Sequence, residues 1–231
     1  MKNIVAVLAG GTGSRLGGGI PKQFIEVAGR TIIEHTVDVF EDHPMVDGIL
    51  VVMHSDYISQ MEALVHRNGW EKVMKVLPGG QERYDSSLAA IRACGEMFGD
   101  CRLLIHDAAR PMVSHRIVTE VIMALDHYKA VDVAMPATDT IIETSADGHR
   151  LVAIPDRRRL RQVQTPQGFH LETIRQAYEN GLQRDDFTAT DDCGTVARYL
   201  PGEPIYVVDG DPANLKVTFK EDLILLEHLL G

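Results

Sequence analysis

Cysteine, long apolar runs and positive charge are all scarce in this chain. Three cysteines (Cys94, Cys101 and Cys193) in 231 residues are too few for a disulfide scaffold and cannot all pair, so a reducing, cytoplasmic setting is expected. No apolar run reaches the roughly 18 residues that a membrane-crossing helix needs. The N-terminus shows no charged leader, apolar stretch and cleavage site in series, which argues against secretion. Lysine and arginine number 23 against 33 acidic residues, a net charge of −10, so bulk binding of nucleic acid or of an anionic membrane is not expected. A small anion such as a nucleotide needs only a local basic pocket, which net charge does not exclude. Catalytic signatures are missing too. There is no HExxH, no paired CxxC and no Gly-x-Ser-x-Gly, and the histidines are scattered, so zinc and serine hydrolysis find no support.

What the chain does hold is alternation. Short apolar runs at 3–8, 48–53, 73–77, 102–105 and 132–135 read as strands buried on both faces. Segments 31–40, 83–94, 117–128 and 171–180 carry apolar residues at helical spacing between them. Strand–helix alternation predicts an α/β fold with a mainly parallel sheet, whose ligands sit beyond the carboxyl ends of the strands. The pattern breaks over 138–164. There two short apolar stretches, 140–143 and 151–154, flank the turn residues Ala146-Asp147-Gly148. This predicts an excursion from the sheet, a β-arm. Alternation resumes at 205–208 and closes with a helix over 220–230. With no repeat and no low-complexity linker, one domain over 1–231 with an arm is the expected organisation.

The first strand runs into Ala9-Gly10-Gly11-Thr12-Gly13-Ser14-Arg15-Leu16-Gly17-Gly18-Gly19-Ile20-Pro21-Lys22-Gln23. Glycines let backbone N–H groups approach and point at an anion. Arg15 adds a planar fork for phosphate and Lys22 a point charge, while Thr12 and Ser14 offer hydroxyls. A P-loop would end in Gly-Lys-Ser/Thr, which is absent. A dinucleotide fingerprint would carry a third glycine at position 16 and an acid about 20 residues later; position 16 is Leu, and Asp56 comes too late. That disfavours a nicotinamide-dependent dehydrogenase and leaves a triphosphate cradle.

Four further clusters follow strands or open helices. His106-Asp107-Ala108-Ala109-Arg110-Pro111 puts an acid where a strand ends, suited to a metal or a ribose hydroxyl, and Arg110 suits a substrate phosphate. His106 reads as structural. Gly79 and Gly80 precede a helix opened by Arg83 and Ser86, offering free N–H groups to a base edge or an anion. Thr190-Asp191-Asp192-Cys193 precedes a short helix and reads either as an N-cap or as a contact to ligand, with Cys193 inert. After the last strand, Asp209 offers a second acid to share a Mg²⁺ with Asp107, and Lys216 a cation for phosphate. The basic run Arg157, Arg158, Arg159 and Arg161 reads as a solvated face from which one or two members grip a phosphate.

These pieces, in this order, resemble the cytidylyltransferases that activate sugar-alcohol phosphates. That family includes 2-C-methyl-D-erythritol 4-phosphate cytidylyltransferase and ribitol-5-phosphate cytidylyltransferase. The pieces are AGGTGSRLGGGIPKQF, GGQERYDSS, HDAARP, DTI at 139–141, DR at 156–157, QTPQGF at 164–169, TD at 190–191 and NLKVT at 214–218, spanning nearly the whole chain. The resemblance implies a Rossmann-like nucleotidyltransferase domain with a protruding β-arm that mediates a homodimer, and a requirement for CTP and Mg²⁺. It implies that Arg15 and Lys22 bind the triphosphate and stabilise the transition state. Ala9, Gly10, Gly11, Gly13, Gly80, Arg83 and Ser86 then match positions around the nucleotide. Asp107 and Arg110 match residues near the ribose and the acceptor, Thr140 and Arg157 residues on the arm that reach a neighbouring subunit's acceptor phosphate, and Thr165, Thr190 and Lys216 further acceptor and phosphate contacts.

The acceptor is left open between the two branches. Ala9-Gly10-Gly11, Ile154-Pro155-Asp156-Arg157 and the Cys in Thr190-Asp191-Asp192-Cys193 look like the ribitol branch, whereas HDAARP looks like the methylerythritol branch. Two other functions are weighed. A sugar-1-phosphate nucleotidyltransferase using another NTP shares a glycine-rich first loop, but the DTI, TPQ and NLKVT pieces argue against it. A catalytically silent nucleotide-binding regulator has no use for Arg15, Lys22, Asp107 and Lys216 together.

Overall fold

A computed structural model describes residues 1–11 and 21–231. In chain order its elements are β1 (Lys2–Ala9), β2 (Glu26–Val27), β3 (Arg30–Thr31), α1 (Ile32–Glu41), β4 (Gly48–Met53), α2 (Ile58–Asn68), β5 (Val73–Pro78), α3 (Arg83–Phe98), β6 (Cys101–Asp107), α4 (His115–Ala124) and β7 (Ala130–Pro136). There follow β8 (Glu143–Thr144), β9 (Leu151–Ala153), β10 (Arg161–His170), α5 (Leu171–Leu182), α6 (Asp192–Tyr199), β11 (Ile205–Asp209) and α7 (Lys220–Leu230). Seven strands form one sheet in the order β11-β7-β10-β6-β1-β4-β5. Its neighbours pair in parallel except at β10, which runs antiparallel to both β6 and β7.

The continuous apolar runs explain the layering. Side chains along β1 alternate between faces. Val5, Val7 and Ala9 join Phe40, Val51 and Ile117 in one core, while Ile4, Ala6 and Leu8 join Leu50, Ile91 and Phe169 in the other. Helices on both faces thus remove all six residues of β4 from solvent. The register places Leu8 opposite Asp107 and Ala9 opposite Met53, so β1, β4 and β6 end together at one edge of the sheet.

Four expectations change. The run at 73–77, expected to be buried on both faces, forms the edge strand β5, in which only Leu77 is buried. Residues 161–164, expected at the foot of the arm, already pair with β7 as the start of β10. The run QTPQGF hid this strand because its polar side chains are buried and satisfied by partners rather than by apolar packing. The pleat is also interrupted between Gln164 and Gly168. Within the excursion, β8 and β9 pair as an antiparallel hairpin whose turn uses Gly148 at φ 75°, as the Asp-Gly pair predicts. Helix α2 went unread because only Met61 and Leu64 on it are buried. Helix α4 stops at Ala124, four residues short of the expected end.

One buried carboxylate ties two of the helices. The Glu34 carboxylate accepts from the Thr31 N–H at 2.9 Å and hydroxyl at 2.7 Å, capping α1. Its other oxygen accepts from Arg67 at 2.8 Å and Asn68 at 3.0 Å, at the end of α2. Burial pushes this carboxyl up, but the Thr31, Arg67 and Asn68 donors outweigh it and bring it from 4.5 to about 2. A carboxyl held below its unfolded value adds stability that is complete above about pH 4.5 and is lost as pH falls toward 2. Full ionisation corresponds to about 3 kcal/mol. Glu34→Gln is therefore expected to lower the unfolding free energy by about 2 kcal/mol at pH 7 and by less than half as much at pH 3. Urea denaturation at the two pH values measures this, and an equal loss at both would refute it.

Candidate functional site

A crevice opens at the shared carboxyl edge of β1 and β6. Ala9, Gly10 and Gly11 form one wall, Gly80, Arg83 and Ser86 the second, and Lys22, Asp107 and Lys216 close it. Gly80 is required by close approach, and Gly10 sits in a tight one. A Cβ on Gly80 would lie 2.3 Å from that of Asp85, and one on Gly10 would lie 3.1 Å from the Ser86 hydroxyl oxygen. The buried Gln23 side chain donates to the Ala9 carbonyl at 2.8 Å. Lys22 Nζ donates to the Val217 carbonyl at 3.2 Å, linking Lys22 to the segment that carries Lys216. Thr12, Gly13, Ser14 and Arg15 lie outside the described residues.

A second crevice adjoins the first and shares Arg83, Asp107 and Lys216 with it; Arg110, Thr165 and Thr190 are among its other walls. The junction is an ion network. Asp107 Oδ1 accepts from Arg83 Nε at 3.3 Å and Oδ2 from Lys216 Nζ at 2.7 Å. Burial pushes the Asp107 carboxyl up, but Arg83, Lys216 and Arg110 outweigh it and hold it well below the usual carboxylate range. Lys216 is delivered by a pinned segment, since the Val217 N–H donates to the Ala109 carbonyl and the Asn214 amide to the Thr165 carbonyl. On its far side Arg83 Nη1 donates to Asp192 Oδ2 at 2.7 Å, and the Tyr178 hydroxyl donates to Asp192 Oδ1 at 2.7 Å. Burial pulls the Arg83 guanidinium down, and Asp192 and Asp107 more than reverse this, so it stays charged throughout the physiological range.

His106 is structural, as expected. Burial pushes it down to about 4, so the ring is neutral near pH 7. Its Nε2 lies 3.0 Å from the Arg110 carbonyl and must carry the proton, which leaves Nδ1 to accept from the Thr165 hydroxyl at 3.0 Å. That hydroxyl also accepts from the Asp107 N–H at 3.1 Å, so Thr165 fixes the end of β6 as well as lining the second crevice. Arg110 grips backbone, donating to the carbonyls of Asn214 at 2.8 Å and Val163 at 3.3 Å. Burial pushes the Cys193 thiol well up, in keeping with an inert residue.

Three candidate residues stand apart from both crevices. Thr140 and Arg157 are exposed in the excursion, where Arg157 donates to the Thr138 carbonyl at 2.8 Å. Asp209 ends β11, three strands from β6, a separation of roughly 14 Å at about 4.8 Å per strand. Asp107 and Asp209 therefore do not hold one ion between them, which corrects the expected pairing. No group of three or more His, Cys, Asp or Glu side chains gathers among the described residues.

Sequence reasoning missed Asp192, Tyr178 and Gln167. Two adjacent acids before a helix signal a cap, and Asp191 is that cap, accepting from the Gly194 N–H at 3.0 Å. Successive helical residues diverge by about 100°, so the next acid turns inward and is fully buried. Only the expectation that a cap needs one acid, not two, signalled its separate use.

Chemically, the described residues offer glycine N–H groups and several cations around one anchored carboxylate. This suits an anionic substrate at each of two adjoining crevices. Known proteins agree. The family model described as "IspD: 2-C-methyl-D-erythritol 4-phosphate cytidylyltransferase" matches residues 3–231. The chain is 45% identical over 228 residues to the 2-C-methyl-D-erythritol 4-phosphate cytidylyltransferase of Thermobifida fusca (strain YX), covering 97% of this chain and 92% of that one. It is 41% identical over 228 residues to the bifunctional ribulose 5-phosphate reductase/CDP-ribitol pyrophosphorylase Bcs1 of Haemophilus influenzae, matching 99% of this chain and 48% of that protein. Among solved structures, the 4-diphosphocytidyl-2C-methyl-D-erythritol synthase of Anaerococcus prevotii superposes with a TM-score of 0.86 at 26% identity, covering 99% and 96% of the two chains.

Proposed function

Because the chain belongs to the 2-C-methyl-D-erythritol 4-phosphate cytidylyltransferase family, and is thus a nucleotidyltransferase, we propose that it transfers a cytidylyl group from CTP to 2-C-methyl-D-erythritol 4-phosphate. The observation that carries this reading is the Arg83–Asp107–Lys216 network where two anion-suited crevices meet. The whole-length match to the Thermobifida relative supports the acceptor. Ribitol 5-phosphate is the second reading, favoured by the match to Bcs1 and by Ala9-Gly10-Gly11.

An oxygen of the acceptor's phosphate attacks the α-phosphorus of CTP in line. A new P–O bond forms, the bond from the α-phosphorus to the bridging oxygen breaks, and pyrophosphate leaves with that electron pair. A phosphate monoester dianion is already nucleophilic, so no side-chain nucleophile or strong base is required. Rate then comes from placement and charge. Ala9, Gly10, Gly11, Gly13, Gly80, Arg83 and Ser86 hold the nucleotide, and Arg15 and Lys22 meet the charge that grows on the α-phosphate and the leaving group. Asp107 takes a hydroxyl of ribose or acceptor, while Arg110, Thr165, Thr190 and Lys216 line the acceptor's place.

The described residues do not fit a protein-held metal centre. Both oxygens of Asp107 already face cations, and no ligand cluster accompanies it. A Mg²⁺ needed for the reaction would then be supplied with CTP, to neutralise phosphate charge, rather than held by these residues.

A homodimer is part of the reading. Ile141, Ile142, Leu151, Val152 and Ile154 are each 42–60% exposed in or beside the β8–β9 hairpin, an apolar cluster that a second copy would cover. Thr140 and Arg157 then extend toward the partner's acceptor. No helix among the described residues is long and apolar enough to cross a membrane, and all three cysteines are free and buried, which suits work in the cytoplasm.

Offered CTP, Mg²⁺ and either acceptor in parallel, the protein is expected to release pyrophosphate with methylerythritol 4-phosphate at a kcat/KM at least tenfold above that with ribitol 5-phosphate. The reverse ratio selects the second reading. Turnover with UTP, GTP or ATP in place of CTP would mark a different nucleotidyltransferase, and no pyrophosphate at all a silent regulator. Lys22→Ala should lower kcat about 100-fold or more while raising the KM for CTP only severalfold; a change confined to KM would refute its transition-state role. Leu151→Asp with Val152→Asp should convert a dimer to a monomer in light scattering and raise the acceptor KM, and a dimer left intact would place the interface elsewhere.

A further inference from the structure

Asp192 lines neither crevice, is fully buried, and ends on the guanidinium that borders both. Stability alone gives no reason for it. A buried carboxylate costs free energy unless paired, and apolar residues in place of a buried ion pair are often neutral or stabilising. Its surroundings are instead built to hold its direction. The Asp192 and Cys193 N–H groups both donate to Gln167 Oε1, at 3.0 and 3.2 Å. The Gln167 amide nitrogen donates to Asp132 at 2.9 Å and Asp191 at 2.6 Å. The first turn of α6 is thereby fixed to β10, a sheet strand, while the Tyr178 hydroxyl on α5 holds one carboxylate oxygen. The other oxygen faces Arg83 Nη1. With Nε on Asp107 and Nη1 on Asp192, Arg83 Nη2 has no hydrogen-bond partner among the described residues.

We propose that Asp192 is a positioning residue for substrate binding: it fixes the plane of the Arg83 guanidinium so that Nη2 is presented where the two crevices meet. Without Asp192, Arg83 turns a second donor nitrogen beside Nε onto Asp107, the carboxylate that also holds Lys216, and the charges facing nucleotide and acceptor shift together. The role is distinct from catalysis, since Asp192 lines neither crevice, and it rests on the cytidylyl-transfer reading above.

A double-mutant cycle tests it. Asp192→Ala should raise the KM for both CTP and acceptor and lower kcat/KM about tenfold. Asp192→Asn, which keeps an oxygen acceptor toward Arg83, should stay within threefold of the unaltered protein. In an Arg83→Ala background, Asp192→Ala should cost less than twofold. The same tenfold cost in both backgrounds, or a fall in kcat with both KM values unchanged as a smaller folded fraction would produce, overturns the proposal. If Asp192→Ala does not fold, Asp192→Ser takes its place in the cycle, its hydroxyl being too short to reach Arg83, with the same outcomes deciding. The unaltered protein in the same assay separates the two ideas: no pyrophosphate from CTP refutes the cytidylyl-transfer reading, whereas normal turnover with additive costs refutes only the role of Asp192.

Discussion

A single carboxylate has to stay charged at the end of a strand walled by apolar side chains, and the rest of the site is arranged around that need. Asp107 ends β6, between two hydrophobic layers. Unpaired, it would take up a proton or resist burial. Arg83 from the start of α3 and Lys216 from the segment after β11 keep it anionic. Each cation then needs its own support. Asp192 and Tyr178 support Arg83, and backbone contacts to Ala109 and Thr165 support the segment bearing Lys216. One charge at a strand end thus recruits a helix start, a second helix and a distant loop, of which the helix start and the loop border the two crevices.

The same network leaves little among the described residues to act as a nucleophile or base. Asp107, Arg83 and Lys216 hold one another in fixed directions. His106, the residue most easily taken for a base, is neutral and spends both nitrogens on Arg110 and Thr165. An arrangement of this kind offers fixed dipoles and cations that need no rearrangement as charge moves.

How much of this was legible in the sequence depended on whether a residue's job was local. Apolar runs marked β1, β4, β6 and β7 because strands covered on both faces cannot hide their composition, whereas β5 was read from the same kind of run although it is an edge strand with only Leu77 buried. Gly10, Gly80, Arg83 and Asp107 were picked out as candidates because they end or follow strands or open a helix, where ligands sit on such sheets, and with Lys216 they line one crevice. Strand β10 was missed because Gln164, Thr165 and Gln167 are buried through hydrogen bonds, and burial of that kind leaves no hydropathy trace. Asp192 was missed because its partner is 109 residues away in the chain, and no spacing rule connects them. The Asp107–Asp209 pairing failed for the converse reason. Two acids at strand ends look equivalent in sequence, but strand order, which sequence does not display, separates them.

The reversed direction of β10 has a consequence for how this architecture diversifies. β7 leaves the sheet at the crevice edge, and β10, running the opposite way, re-enters at that same edge. The whole of 137–160 is therefore a detour inserted between two points beside the second crevice, with both feet on sheet strands. Its length and sequence can change without disturbing the order of the strands or the glycine wall on the other side. The excursion and the glycine wall are in this sense separately editable.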